Sequence, residues 1–279
     1  MIVDVHTHTP THKGPVPEAE MQWNNVWRPD AVRPTTYSWD DYMKEFQNVD
    51  KAIVFNMALH PKDRPNDATA EFVQAYPDKL IGFLSVHPHD DDMAKEMDRC
   101  VHELGLKGIK LGPNYQVFDP LEPRAMDIYA KAQKMGLPIL FHQGTSGLRT
   151  RPLRYTHPLY MDEIATAFPD LRIVMAHMGH PWQADCIAVI RKHPNVYADV
   201  SGLFYRPLSF YQCMRLAAEW NVMHKLLFAS DFPVTTPTET MEALRRVNDI
   251  VEGTKLPRVP EEEIEKIIHR DALSLLGLD

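Results

Sequence analysis

Eight short apolar runs, each followed by a longer segment of helical periodicity, constrain this chain more than any other feature. The runs are Ile2–Val5, Ala52–Asn56, Ile81–Val86, Gly108–Leu111, Pro138–His142, Arg172–His177, Val196–Val200 and Leu226–Asp231. Helical patterning fills the gaps, at Asp40–Phe46, Asn66–Ala75, Asp91–Leu104, Pro123–Met135, Tyr160–Ala167, Pro181–Lys192, Ser209–Trp220 and Thr238–Val251. Such alternation reads as βα units around a parallel sheet, and eight strands close a barrel. The expected fold is α/β, a (β/α)8 barrel formed as one domain over 1–279, with a last helix, Glu261–Leu276, packed against it. A chain of 279 residues with 44% apolar content can fill a single core of that size.

Charge and cysteine usage exclude several partners. The chain has 30 basic and 38 acidic residues, a net charge of −8, and no basic block that would track phosphates, so nucleic acid is not an expected partner. Cys100, Cys186 and Cys213 are odd in number, far apart and without C-x-x-C spacing, which indicates neither a disulfide framework nor a thiolate metal site. They read as packing residues. The first strand begins at the second residue and no run approaches the ~20 apolar residues that span a bilayer. A cytoplasmic protein with no membrane partner is expected, acting on a small molecule; the sequence leaves room for a homo-oligomer such as a dimer.

Two insertions interrupt the βα period. The first, His12 to Tyr37, holds four prolines together with Trp23 and Trp27, too proline-rich for a regular element and too aromatic for a floppy linker; it reads as an ordered lid. The second, Gln143 to His157, carries Arg149, Arg151 and Arg154. Both leave the C-terminal face of the barrel, where active sites are built.

The strand ends carry metal-capable groups. His6 and His8 are separated by one residue, so an extended backbone sends both imidazoles to one face, a pair that suits a borderline divalent ion such as zinc. His142 ends the fifth strand, His177 the sixth and Asp231 the eighth. In a closed barrel all five converge on one rim. A strand-capping histidine or a helix N-cap aspartate accounts for any one of them, but not for five together.

The chain resembles the amidohydrolase superfamily, and within it the amidohydrolase-2 branch that includes the aminocarboxymuconate-semialdehyde decarboxylases. The resemblance rests on D-V-H-T-H (4–8), G-I-K-L-G-P-N-Y-Q (108–116), I-L-F-H (139–142), I-V-M-A-H-M-G-H (173–180), N-V-Y-A-D-V-S-G (195–202), F-A-S-D-F-P (228–233) and A-L-S-L-L-G-L (272–278). It implies a distorted TIM barrel, one divalent metal ion, and either hydrolysis or non-oxidative decarboxylation. By the family pattern His6, His8, His142 and Asp231 fall where the metal ligands lie and His177 where the catalytic histidine lies. Lys110 ends the fourth strand, where binuclear members carry a bridging carboxylated lysine; in this mononuclear branch it is expected to be a buried polar or substrate-contacting group. His180 and Asp199 are expected behind the ligands, orienting them. His87 could line the pocket or lie in solvent, and Asp4, alternating with His6, would turn into the barrel and make a structural hydrogen bond.

The leading functional expectation is a metal-dependent hydrolase that opens an ester, lactone or amide of a small carboxylated molecule through a metal-activated water. Asp231 would bind the ion and accept the water's proton, and His177 would polarise the substrate or shuttle a proton. The alternative is a metal-dependent decarboxylase of an unsaturated or aromatic acid, served by the same residues; a metal-binding protein without catalysis is the third reading. Zinc is favoured by three histidines and a carboxylate, with manganese, iron or cobalt compatible with the same ligands. Arg149, Arg151 and Arg154 are the expected readers of the substrate carboxylate, with Trp23 and Trp27 closing over it.

Overall fold

The structure, a computed structural model, describes residues 1–24, 28 and 30–279. Eight parallel strands follow one another around a barrel in chain order: β1 Val3–His8, β2 Lys51–Phe55, β3 Leu80–Leu84, β4 Gly108–Leu111, β5 Ile139–Phe141, β6 Ile173–Met175, β7 Val196–Asp199 and β8 Leu226–Leu227. Period-two alternation divides their side chains between two environments. Ile109, Leu111, Ile139, Phe141, Ile173 and Met175 pack outward against the helices. Leu140, Val174, Tyr197 and Leu227 join one interior cluster with residues of β1, β2 and β3. The interior position of β4 is instead Lys110, which is fully buried.

β8 is only two residues long, yet the barrel closes. The chain past β8 runs along β1: Val5 N–H donates to the Phe228 carbonyl (3.1 Å), Asp231 N–H to His6 (2.9 Å) and His8 N–H to Phe232 (2.9 Å). Those backbone groups would otherwise be buried and unpaired. β1 also extends beyond the Ile2–Val5 run, so that both histidines stand on the strand itself.

A register shift between Asp4 and Thr7 inserts an extra residue on β1 opposite β2, the geometry of a β-bulge. The strict alternation of Asp4 with His6 and His8 therefore fails. Asp4 Oδ1 accepts the N–H of His6 (3.2 Å) and of Ser230 (3.1 Å), tying β1 to the end of β8. Its Oδ2 has no partner among the described residues, and burial pushes the carboxyl up to about 7.

Two expected helices end differently. The region Thr238–Val251 is a helix at Pro237–Arg245, opened by a Thr236–Glu239 capping box, followed by a 3-10 turn at Asp249–Val251. The expected Glu261–Leu276 helix breaks in two, Glu261–Ile268 and Ala272–Leu276, because Asp271 caps the second piece by accepting from Ser274 N–H. Ala272, Leu273 and Leu276 then join the interior cluster of the barrel. Cys100, Cys186 and Cys213 are buried in helices with free thiols. Among the described residues no helix is long and apolar enough to cross a membrane.

The first insertion is tied down by charge. Arg28 pairs with Asp30 (2.7 Å) and with Glu239 (3.2 Å), Arg33 also meets Glu239, and the Arg28 guanidinium lies over the Phe204 ring, 5.1 Å from its centroid. Trp23 belongs to a two-residue antiparallel pair with Arg33–Pro34, while Trp27 lies outside the described residues. The second insertion folds back on the segment after β6. Thr145 N–H donates to the His180 carbonyl (2.7 Å), and Gly144, at φ +87°, leaves no room for a side chain, since a Cβ there would sit 2.1 Å from that same oxygen.

Two outcomes follow from this packing. Gly144→Ala combines a left-handed backbone cost of roughly 1–2 kcal/mol with a clash, so it should lower stability by more than about 2 kcal/mol in denaturant titration; a loss under 0.5 kcal/mol would mean the two loops are not locked. For Asp4, a folded-state pKa of about 7 against about 3.9 unfolded gives a contribution to stability present below about pH 4 and lost as pH rises through 7. In EDTA the near-isosteric Asp4→Asn should therefore gain on the parent chain as pH rises from 4 to 8, and a pH-independent difference would contradict a neutral buried Asp4.

Candidate active site

The C-terminal ends of the strands surround a cavity of about 480 Å³ lined by His6, His8, Lys110, His142, His177 and Asp231, with His180, Arg151 and Arg206 further out. Two of the residues that bring chemistry to this rim hold unusual backbone: His177 has φ 57° and Asp231 φ 61°. Such left-handed conformations are disfavoured for residues with a Cβ and persist where surrounding contacts enforce them, often at functional sites. His177 lies in a tight 3-10 turn, Ala176–Gly179, directly after β6, which stops at Met175 instead of running on to the histidine.

Asp199, at the end of β7 and fully buried, organises the histidines. Its Oδ2 accepts from His6 Nδ1 (2.9 Å), and its Oδ1 accepts the N–H of His177 (2.9 Å), the N–H of Ser201 (3.0 Å) and the Ser201 hydroxyl (2.5 Å). The protonation pattern then follows from donor counting. His6 carries its proton on Nδ1, so Nε2 is the lone-pair nitrogen. Ser201 spends its one hydroxyl proton on Asp199, so the hydroxyl accepts from His177 Nδ1 (2.8 Å), beside the Ser201 carbonyl at 3.2 Å. His177 Nε2 is thereby a free base. Burial raises and the neighbouring imidazoles lower the Asp199 carboxyl, and the imidazoles win, holding it well below the usual range.

Asp231 Oδ1 stands 3.2 Å from both His6 Nε2 and His8 Nε2. For His6 this sets a lone pair against a carboxylate oxygen with no proton between them, an arrangement that a cation relieves. Lys110 Nζ, 3.3 Å from the same nitrogen, supplies part of that charge, although burial brings its ammonium down to about 8. His6, His8 and Asp231 offer two imidazole nitrogens and one carboxylate oxygen within 4.8 Å of one another, a donor set that fits a divalent ion with an open position. A second triad, His6, His177 and Asp199, meets the same spacing, but its carboxylate is already saturated by four donors. His6 is fully buried and its pKa is brought down to about 4, first by burial and then by Lys110; its imidazole is neutral throughout the physiological range.

His142 lines the same cavity but stands outside the His6–His8–Asp231 group. Its Nε2 faces the Thr145 carbonyl at 3.3 Å, and its ring centroid is 5.2 Å from that of His177. Burial first, then His177 and Lys110, hold its pKa well below the ordinary histidine value. Lys110 is thus a buried neighbour of His6. His180 also lines the cavity, its Nδ1 accepting from the Gln183 amide at 2.7 Å.

The arginine loop is only partly a cavity wall. Arg151 lines it and its Nε is buried without a partner among the described residues; Arg149 is absent from the wall, and Arg154 is exposed and stacks on Tyr155. Trp23 is 60% exposed, and the first insertion reaches the cavity through Thr35 and Tyr37 instead. His87 neither lines the pocket nor lies in solvent: it is buried, with Nε2 donating to the Gln116 carbonyl at 2.8 Å. Three positions at this rim escaped sequence reasoning. Ser201 and Gln143 each follow a strand end already singled out, and Arg206 stands in the loop after β7; Gln143 lines the cavity fully buried, with neither amide atom partnered among the described residues.

Comparisons with known proteins agree with this geometry. Over 298 residues the chain is 24% identical to a 2-amino-3-carboxymuconate-6-semialdehyde decarboxylase of Dictyostelium discoideum, covering 92% of this chain and 78% of that protein. It is 30% identical over 125 residues to a dihydroorotase of Helicobacter pylori (strain HPAG1), a match that spans 42% of this chain and only 35% of the relative's length. The fold is shared with a structure described as a probable 2-pyrone-4,6-dicarboxylic acid hydrolase of Acinetobacter baumannii, at a TM-score of 0.66, 16% identity and 99% coverage of each chain. A sequence profile described as Amidohydrolase matches residues 3–278, and with metal-type donors gathered on the rim of its barrel the chain belongs to the amidohydrolase family, as an enzyme of the branch that its strand-end motifs indicate.

Proposed function

We propose that this enzyme is a metal-dependent hydrolase that opens an ester, lactone or amide bond of a small carboxylated molecule. The observation that carries the reading is the division of labour at Asp231: Oδ1 meets both His6 and His8, while Oδ2 takes no hydrogen bond from the described residues and is free to accept a proton. His6, His8 and Asp231 would hold the ion, with His142 as the fourth ligand, and imidazole-rich donors favour zinc over harder ions. When bound, such an ion supplies a Lewis acid for a carbonyl oxygen and acidifies a coordinated water. Asp231 Oδ2 receives the proton of the attacking water. His177 Nε2, oriented by Ser201 and Asp199, receives or returns a proton on the substrate side as the leaving group departs. The carboxylated substrate is supported by the charge of the cavity wall, where Lys110, Arg151 and Arg206 face a single anionic lining residue, Asp231.

A second reading, non-oxidative decarboxylation of an unsaturated or aromatic acid, is favoured by the long match to a decarboxylase. In it His177 Nε2 exchanges the proton that replaces CO2 on carbon. Parallel assays of acid release and CO2 release over a panel of lactones, esters, amides and unsaturated acids separate the two: hydrolysis gives acid without CO2, and CO2 release would replace the first reading by the second.

Elemental analysis should find about one divalent ion per chain, lost in His6→Ala and His8→Ala and weakened in His142→Ala. Full metal content in the first two would remove the assignment. His177→Asn should keep the ion and lose about 10²–10⁴ of kcat, the usual worth of general acid–base help; loss of metal in that variant would make His177 a ligand instead.

A further inference from the structure

Most cavity-remote arginines in this protein are neutralised: Arg28, Arg33, Arg64, Arg99, Arg124, Arg245, Arg246 and Arg258 each have a carboxylate within 4.0 Å. Arg206 lines the cavity and, among the described residues, has no carboxylate partner. Its guanidinium is nonetheless held in place. It lies over the Tyr205 ring, 4.6 Å from the centroid, and one nitrogen donates to the Gly202 carbonyl at 3.4 Å. Gly202 in turn packs on the catalytic-side histidine: a Cβ there would lie 3.3 Å from His177 Nδ1.

His180 completes the arrangement. Because the Gln183 amide donates to its Nδ1, the neutral ring keeps its proton on Nε2 and is a hydrogen-bond donor. Both His180 and Arg206 line the cavity, and the imidazole's basicity is depressed first by burial and then by the nearby guanidinium. An unpaired guanidinium fork beside a neutral N–H donor matches a carboxylate, which accepts at both oxygens.

We propose that Arg206, with His180 beside it, is the specificity-determining anchor for the substrate's carboxylate, holding the acid on the β6–β7 side of the cavity next to His177. The proposal rests on the carboxylated-substrate reading above and assigns that role to the loop after β7 in place of the arginine loop after β5. The substrate class it implies is a small acid whose reacting bond lies only a few bonds from its carboxylate.

The test reads binding without turnover. Benzoate and benzamide have the same shape and differ in charge; their affinities are measured by calorimetry on His177→Asn protein, loaded with zinc and again in EDTA. The expected result is a preference for benzoate that survives EDTA and falls at least about tenfold in the added Arg206→Gln change, the lower end for a lost charge-assisted hydrogen bond, with benzamide unaffected. Arg206→Lys, which keeps the charge but not the fork, should retain part of the preference and serves as the test if Arg206→Gln does not fold. No preference in the parent protein, its retention in Arg206→Gln, or an equal loss in Arg151→Gln overturns the proposal. Failure of the hydrolase reading appears elsewhere, as absent acid release from the parent enzyme, and leaves this binding result readable.

Discussion

The carboxylate of Asp199 is the interaction on which the rest of the site depends. One buried anion takes the ring proton of His6, the backbone N–H of His177, and both the N–H and the hydroxyl of Ser201. In doing so it fixes two tautomers at once: it frees Nε2 of His6 toward Asp231 and, through Ser201, frees Nε2 of His177 toward the cavity. Carboxylates that orient a ligand histidine in this way commonly contribute 10–100-fold to metal affinity or activity. Because Asp199 stands on β7 and His6 on β1, the arrangement exists only once the barrel has closed, so the site is a product of the whole fold and of no single motif.

Closure itself falls on a short stretch of backbone. β8 supplies two residues of regular strand, and the hydrogen bonds from Val5, His8 and Asp231 then carry the pairing past its end. The same stretch forces Asp231 into a left-handed conformation, and the turn after β6 does so for His177. Strain of this kind is of order 1–3 kcal/mol per residue, and here it falls on two residues that line the cavity. The adjacent loops are correspondingly braced, Gly144 against His180 on one side and Arg28 against Glu239 on the other.

How much of this is legible in the sequence depends on the range of the interaction. The eight strands could be read because parallel strands covered on both faces are continuous apolar runs, and His6, His8, His142, His177 and Asp231 because each terminates such a run. The bulge on β1 was not legible, since an extra residue leaves no compositional trace when its neighbours are Val and His; it breaks the alternation on which the placement of Asp4 rested. Nor was the place of Arg206 in the cavity wall. Its signal, a Y-R-P at the start of the helix that follows β7, is weaker than three arginines in six residues, yet only one of those three reaches the cavity, because the loop after β5 turns back on His180. Ser201 could have been found by noting that a serine two residues past an acidic strand end is placed to cap it.

The central claim, that Asp199 orients His6 and thereby sets the ion between His6, His8 and Asp231, is tested most directly by an anomalous-scattering crystal structure of the zinc-loaded protein. The account predicts a single ion within about 2.0–2.2 Å of His6 Nε2, His8 Nε2 and an Asp231 oxygen, with Asp199 still accepting from His6 Nδ1. An ion bound instead at His6 Nδ1 between Asp199 and His177 would contradict it.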